Sequence, residues 1–388
     1  CDSVYFGVEH LNMRARSTNN FTLEDLRKIA SIARENKVRT YITMNTILYD
    51  HDIQLMKKIV DTAKEEKIDA IIASDHAVLN YANKIGMPVH ISTQANVTNI
   101  DTVEFYATYA DVMVLSRELS LMQVASIQKE IKRRKVNGPS GNPVKLEIFA
   151  HGALCMAVSG KCYLSLHSHF ASANRGACIQ NCRRSYVVTD KEEGMEFEID
   201  NEYIMSAKDL CTIAFLPKIL ETGVSVLKIE GRGRSADYVY KTTMCYREAI
   251  DSFYENTYTQ EKVDSWMETL STVYNRGFWD GYYLGRKLGE WIHNYGSVAT
   301  KRKIYIAKGI KYFEKASIAE FYCESHSLAI GDDIMVTGPT TGYLETKVDE
   351  LRVDGKHVEK VERGSSFTVR IPEKIRPSDK LFKVVDNG

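Results

Sequence analysis

Four cysteines, Cys155, Cys162, Cys178 and Cys182, fall within 28 residues, whereas Cys1, Cys211, Cys245 and Cys323 are scattered. Four soft thiolates brought together suit an iron–sulfur cluster or zinc, and ligands close in sequence lower the entropy cost of assembling a site from one loop. The gaps between them are six, fifteen and three residues. Zinc sites favour Cys-x-x-Cys pairs, which are missing, so the pattern points to iron–sulfur, with zinc and unrelated free thiols as the alternatives. Cys211 is the alternative to Cys182 as fourth ligand, although an apolar, helix-like setting fits it better as a buried structural thiol.

A second stretch, 224–234, reads as an apolar strand running into Glu230, Arg232 and Arg234, with Gly231 and Gly233 permitting a tight bend. Guanidinium forks match carboxylate or phosphate, so an anionic ligand at the strand end is expected; the plainer reading is an Arg–Glu ion pair closing a rim. No Gly-x-x-x-x-Gly-Lys-[Ser/Thr] phosphate loop occurs. A thiol–imidazole nucleophile needs a His beside its Cys in space, and His151 stands four residues before Cys155, a nearness in sequence that proves little; neither a His-Glu-x-x-His helix nor a Gly-x-Ser-x-Gly elbow accompanies it. Basic runs at 129–135, Arg183-Arg184 and 301–303 suit RNA phosphates or, equally, solvated faces.

Positioning these residues requires a scaffold. From residue 4 to about 256, short apolar runs at 4–8, 38–44, 68–73, 88–92, 111–115, 145–150 and 225–229 alternate with amphipathic stretches, the rhythm of βα units around a parallel sheet. Before the first helix, Thr22 is expected to cap and Phe21 to staple onto Leu26, with Leu26, Ile29, Ala30 and Ala33 forming the buried stripe. Polar residues follow each run: Asn12 and Arg14, Asn45, Asp75, Gln94, Arg117, His151, and Glu230 with its arginines. In a TIM-type (β/α) barrel they would converge on one mouth. Seven strands are one short, so the first βα unit is expected upstream of Cys1; an open doubly wound sheet is the alternative. The expected organisation is a catalytic barrel at 1–256 with a Cys-rich segment inserted at 151–195, a helical bridge at 257–301, and a small β-barrel at 302–388, where short alternating runs and turns such as Asp354-Gly355 replace the helical rhythm.

Lys plus Arg and Asp plus Glu each number 51, so anionic partners must be met by local patches. Eight cysteines are too sparse for a small secreted disulfide scaffold, and no apolar run is long enough for a membrane span. A cytoplasmic protein without membrane contact is expected.

The segment 147–165, Glu-Ile-Phe-Ala-His-Gly-Ala-Leu-Cys-Met-Ala-Val-Ser-Gly-Lys-Cys-Tyr-Leu-Ser, resembles the defining motif of the collagenase-like peptidase family U32. So do Val4-Tyr5-Phe6-Gly7, Asn12-Met13-Arg14, Thr43-Met44-Asn45-Thr46, Ser92-Thr93-Gln94, the 228–232 stretch and Asn275-Arg276-Gly277-Phe278, a likeness across about residues 2–290. The β-rich tail resembles the family's C-terminal domain, related to the second domain of elongation factors. The resemblance implies a four-iron four-sulfur (4Fe-4S) cluster on Cys155, Cys162, Cys178 and Cys182. The layout is similar to the branch forming 5-hydroxyuridine at the tRNA wobble position with prephenate implicated. Related branches hydroxylate a ribosomal-RNA cytidine or a ubiquinone precursor, and peptidase activity is the runner-up. On this reading Arg14, Arg232 and Arg234 bind a small carboxylate metabolite, and Glu230, Asn45 and Gln94 orient it or the base. Arg183, Arg184 and the tail grip the tRNA anticodon arm, and an electron donor completes the set. His151 is the residue a peptidase would use.

Overall fold

The computed structural model describes residues 1–16, 20–194, 196–197, 205–285, 289–293 and 296–387. In chain order it holds β1 (Ser3–Gly7), α1 (Asp25–Glu35), β2 (Arg39–Met44), α2 (Ile53–Glu65), β3 (Ala70–Ala73), α3 (His76–Ile85), β4 (Val89–Ile91), α4 (Ile100–Ala107), β5 (Val112–Val114) and α5 (Leu121–Arg134). These are followed by β6 (Lys145–Ala153), α6 (Leu164–His169), β7 (Val188–Thr189), β8 (Glu196–Phe197), β9 (Asp209–Cys211), α7 (Leu216–Glu221), β10 (Val226–Ile229), α8 (Ala236–Tyr254), α9 (Gln260–Ser271) and β11 (Phe278–Trp279).

Two compact units result. The first comprises residues 1–233, 246–263 and 275–297, the second 234–245, 264–274 and 298–388. The stretch 257–301, read as a helical bridge, is therefore shared between them; it carries α9 and β11, and its residues 286–288 and 294–295 lie outside those described.

The first unit is built on a parallel sheet ordered β1-β2-β3-β4-β5-β6-β10, so each of the seven apolar runs is a strand. β9 adds antiparallel to the end of β6, and β11 joins β9. Among the described residues no backbone ladder runs from β10 back to β1, so a closed eight-stranded barrel is not what the hydrogen bonding displays. The fold is mixed α/β, with a parallel sheet here and an antiparallel sheet in the second unit. Strands β3 and β5 are buried at every position because helices cover one face and packed side chains the other. Leu26 and Ala30 of α1, Ile59 and Ala63 of α2, Leu79 of α3 and Ile127 and Ile131 of α5 supply the helical side of that core. Burying a side chain of the Leu or Ile class contributes about 1.5–3 kcal/mol.

Local chemistry fixes the helix ends. Ser120 and Gln123 form a reciprocal capping box on α5, and Asp75 accepts from the Ala77 amide at 2.9 Å to cap α3, which Gly86 closes in a left-handed conformation (φ 69°). Asp75 is thus a helix cap rather than a group at the mouth. Thr22 does not cap α1: its amide and hydroxyl donate to Asp25 Oδ2 at 2.9 and 3.0 Å, and Phe21 packs edge-on against Phe6 (5.5 Å). The stripe on α1 is as expected, with Leu26, Ala30 and Ala33 buried and Ile29 partly so.

The second unit contains β12 (Lys301–Phe313), β13 (Ile318–Cys323), β14 (Ser327–Ala329), β15 (Asp333–Gly338), β16 (Gly342–Lys347), β17 (Leu351–Val353), β18 (Lys356–His357), β19 (Lys360–Glu362), β20 (Ser366–Arg370) and β21 (Lys380–Asp386). Eight of these form an antiparallel sheet ordered β16-β15-β21-β12-β13-β20-β17-β18, around Phe321, Phe367, Ile306 and Leu381. Asp354 and Gly355 (φ 50° and 78°) make the two-residue turn between β17 and β18, the left-handed pair such a hairpin demands.

Candidate active site

A cavity of about 350 Å³ opens at the C-terminal ends of the parallel strands, where the strands of α/β sheets present side chains to ligands. Its wall takes Tyr5 from β1, Asn45 from just beyond β2, Ser92 and Gln94 beyond β4, Arg117 beyond β5, Phe149 from β6, and Lys228, Glu230 and Arg232 from β10 and its extension. Its other side is the cysteine segment, with Cys155, Cys162, Cys178 and Cys182 all on the lining. Much of the remaining surface is apolar, including Met13, Ile72, Val114, Val158 and Leu164.

The segment 154–184 is held in place by close approaches that only glycine allows. A Cβ on Gly176 (φ 81°) would lie 2.2 Å from the Asn12 carbonyl oxygen, and one on Gly160 (φ 73°) would lie 2.9 Å from Gln94 Cγ. Arg175 adds a clasp: it donates to Asp52 and to the Ile47 carbonyl (3.0 Å) and stacks over Tyr49 (4.1 Å). That clasp carried no sequence motif; the hydrogen bond from Arg175, helped by the Tyr49 amide, outweighs the upward push of burial and holds the Asp52 carboxyl below the usual range. Arg183, expected to face RNA, instead donates to the Leu154 and Ala207 carbonyls (2.5 Å each) and to Ser206 Oγ (3.1 Å). Its fork is committed to orphan carbonyls of the protein itself. Arg184 is exposed beside it.

Glu230 is the hub of the charged wall. The Tyr5 hydroxyl lies 2.9 Å from Glu230 Oε2, and Arg14 stands 3.6 Å from Oε1. Burial pushes the carboxyl up, but Arg14, Arg232, Arg117 and the Tyr5 hydroxyl outweigh it and hold the group below its ordinary value. Burial and then the Glu230 charge raise the Tyr5 phenol well above its own. Arg232 donates to Asn12 Oδ1, and Asn12 is fully buried, giving its amide to Val8 O at 2.5 Å. One layer deeper, Lys228 Nζ sits 2.6 Å from Glu147 Oε1 and 4.3 Å above the Tyr5 ring, both side chains nearly sealed from solvent. Asn45 donates to Gln94 Oε1 (3.2 Å) and to Ser92 Oγ (3.3 Å), so the two expected amides form one network.

Three expectations are corrected. His151 does not line the cavity: β6 gains an extra residue opposite Lys228 and Ile229, and beyond that shift the imidazole packs on Tyr246 and Phe278 (5.5 Å each) and is 1 % exposed. Arg234 also lies off the lining, its guanidinium 4.0 Å over the Tyr274 ring. Cys211 sits on strand β9, not a helix, buried away from the cavity with the Tyr246 hydroxyl 3.9 Å from its sulfur; burial pushes its thiol up to about 11. Within the basic run on α5, Arg133 pairs with Glu130 (2.6 Å) and Arg134 with Asp101 (2.8 Å).

The four cavity cysteines are free thiols. Burial raises the Cys182 thiol, Arg183 lowers it, and Cys155, Cys178 and Cys162 each raise it further, so the four sulfurs interact electrostatically. Among the described residues no group of three or more His, Cys, Asp or Glu is arranged to hold a single metal ion. A four-iron cube spreads its ligands over a wider span than one ion does, and an all-sulfur donor set on a loop over a largely apolar cavity is the kind such clusters use.

Fold and cavity together define an α/β protein with a thiol-rimmed pocket at the strand ends. The chain belongs to peptidase family U32, whose model matches residues 1–293. It is 57 % identical over 382 residues, 98 % of this chain and 92 % of the relative, to a protein named collagenase from Porphyromonas gingivalis. It is 36 % identical to tRNA hydroxylation protein P of Helicobacter pylori, covering 74 % of this chain and 67 % of the relative. It is 28 % identical to the 23S rRNA 5-hydroxycytidine C2501 synthase of Escherichia coli, covering 74 % and 43 %. No described helix is long and apolar enough to cross a membrane.

Proposed function

We propose that the chain is an iron–sulfur-dependent hydroxylase that forms 5-hydroxyuridine at the wobble position of tRNA, with prephenate as co-substrate. The observation that carries this reading is the gathering of Cys155, Cys162, Cys178 and Cys182 on one cavity that also presents Glu230, Asn45, Gln94 and a set of arginines. These cysteines would hold a 4Fe-4S cluster, which when bound supplies electron transfer at the cavity. Completing the parallel sheet as a TIM-type barrel belongs to the same reading, supported by Tyr5 reaching from β1 to the end of β10.

Replacing the C5–H of uracil by C5–OH is a two-electron oxidation that adds one oxygen atom. An oxygen donor is therefore consumed alongside the RNA: its C–O bond breaks, the hydroxyl oxygen passes to uracil C5, and the donor carbon is reduced by the same two electrons and takes up the hydrogen, so that R–H plus X–OH gives R–OH plus X–H. A hydroxylated dicarboxylate such as prephenate is the co-substrate we assign. Glu230, held ionised, accepts hydrogen bonds from substrate N–H or O–H groups; Asn45 and Gln94 orient the base or the co-substrate; Arg14 and Arg232 set the charge of the wall. The antiparallel unit, with Arg184, contributes the grip on the anticodon arm, where bases are single-stranded.

Anaerobic purification followed by iron and sulfide analysis tests the cofactor, and mass spectrometry of tRNA nucleosides from a deletion strain tests the substrate. A four-iron protein and loss of 5-hydroxyuridine are the expected results; a colourless, iron-free protein with unchanged tRNA would end the proposal. The collagenase name of a 57 % identical relative favours peptide hydrolysis as a second reading. It requires collagen-peptide cleavage that survives removal of iron.

A further inference from the structure

Three buried polar atoms on the cavity wall have no hydrogen-bond partner among the described residues: Arg117 Nε, Thr93 Oγ1 and Asn174 Oδ1. An orphaned buried donor or acceptor leaves its desolvation uncompensated, and three on one cavity wall are the groups a polar ligand would satisfy. Arg117 is fixed on both sides. Its guanidinium lies 3.8 Å above the Phe149 ring and Nη1 donates to the Ala153 carbonyl at 3.1 Å, which fixes the plane of the fork while leaving the Nε edge without a protein acceptor. The neighbouring cations are occupied: Arg14 by Glu230, Lys228 by Glu147, and Arg232 by Asn12.

Arg117 and Thr93 also line a smaller recess of about 90 Å³ beside Cys155, shared with Leu154, Met156 and Val158. Thr93 is 6 % exposed. Glu118, the carboxylate on that recess, is exposed and accepts from Ser116 Oγ; no ion pair among the described residues joins it to Arg117.

We infer that the Nε edge of Arg117, with the Thr93 hydroxyl beside it, receives the carboxylate of a small ligand whose apolar body rests on the cavity wall, making Arg117 the anion anchor in place of Arg14, Arg232 and Arg234. A carboxylate offers two coplanar acceptors to one fork edge, and its negative charge offsets part of the excess of cations that Arg14, Arg117 and Arg232 make around the one Glu230 carboxylate. The Oδ1 of Asn174 adds an acceptor for a hydroxyl or N–H on the same ligand. This assignment rests on the co-substrate part of the proposed function and needs neither the cluster nor RNA.

Isothermal titration of the purified full chain, without RNA, tests it with benzoate, phenylpyruvate and inorganic phosphate as separate probes. The two carboxylates are expected to bind and phosphate not to. Arg117→Met should weaken binding by about 10-fold or more, the loss of a charge-assisted hydrogen bond. Arg117→Lys, which keeps the charge without the fork, should fall between. Thr93→Val, close in size to the parent, should weaken binding severalfold at an unchanged unfolding midpoint, and it keeps the test open if Arg117→Met fails to fold. Binding undiminished in both Arg117→Met and Thr93→Val, or binding of phosphate alone, overturns the assignment and leaves the cluster and RNA readings untouched. If neither carboxylate binds the parent chain, the co-substrate reading falls with it.

Discussion

The Tyr5 hydroxyl lies 2.9 Å from Glu230 Oε2 and 3.1 Å from the Ile229 carbonyl, joining the first and last parallel strands across a gap that no backbone ladder spans among the described residues. The curvature of the sheet is therefore registered in a side chain. Tyr5→Phe removes the donor to a buried carboxylate and is expected to cost about 1.5–3 kcal/mol, read as a lowered urea midpoint.

Glu230 sets a pH dependence with a definite sign. Its carboxyl lies below the ordinary value in the folded chain, so its contacts stabilise fully above the unfolded value of about 4.3 and are lost as pH falls through the lower folded value. The difference in urea midpoint between the parent and Glu230→Gln should be flat from neutral pH to about 5 and shrink below about 4.3. A difference that stays constant throughout acid titration would contradict the ion set drawn around Glu230.

Lys228 and Glu147 are 9 % and 4 % exposed in their side chains, and truncating one strands the other. Lys228→Met is expected to destabilise by about 3–5 kcal/mol, while Glu147→Leu combined with Lys228→Met recovers most of that loss. Denaturant melts of both single variants and the double variant close the cycle.

Cys182 and Cys211 competed as fourth ligand in the sequence, and geometry separates them. Cys182 is on the cavity lining, whereas Cys211 is off it, buried on β9 opposite His151 of β6. After anaerobic reconstitution, Cys182→Ser should lose iron relative to the parent and Cys211→Ser should not; equal loss from both would return Cys211 to the site.

Gly176→Ala tests how the cysteine segment is docked. Its Cβ would meet the Asn12 carbonyl at 2.2 Å, whereas Gly194, with a similar φ (71° against 81°), has nothing within 4 Å of an added Cβ. Both variants carry the left-handed backbone cost, which exceeds the roughly 0.4–1 kcal/mol gained at compatible sites. Only Gly176→Ala should also lower reconstituted iron, because it lifts the segment off Asn12.

Local composition determined much of this protein. Apolar runs flanked by amphipathic stretches located all seven parallel strands, since period and turn residues are properties of neighbouring positions. The cysteine spacing and the polar residue after each strand marked most of the cavity wall. The short strands β9 and β11 leave no mark in the sequence because two or three residues carry no period, and their pairing is made by partners far away in the chain. Only tertiary structure decided which charges remain available. Arg183 is consumed by carbonyls 24 and 29 positions away, Arg14 and Arg232 by Glu230 and Asn12, and His151 is turned outward by one extra residue in β6. A side chain's type fixes what it can bond, but its partner is set by distances that exist only once the sheet has curled, and that is why Arg117, one arginine among many in the sequence, stands out only in three dimensions.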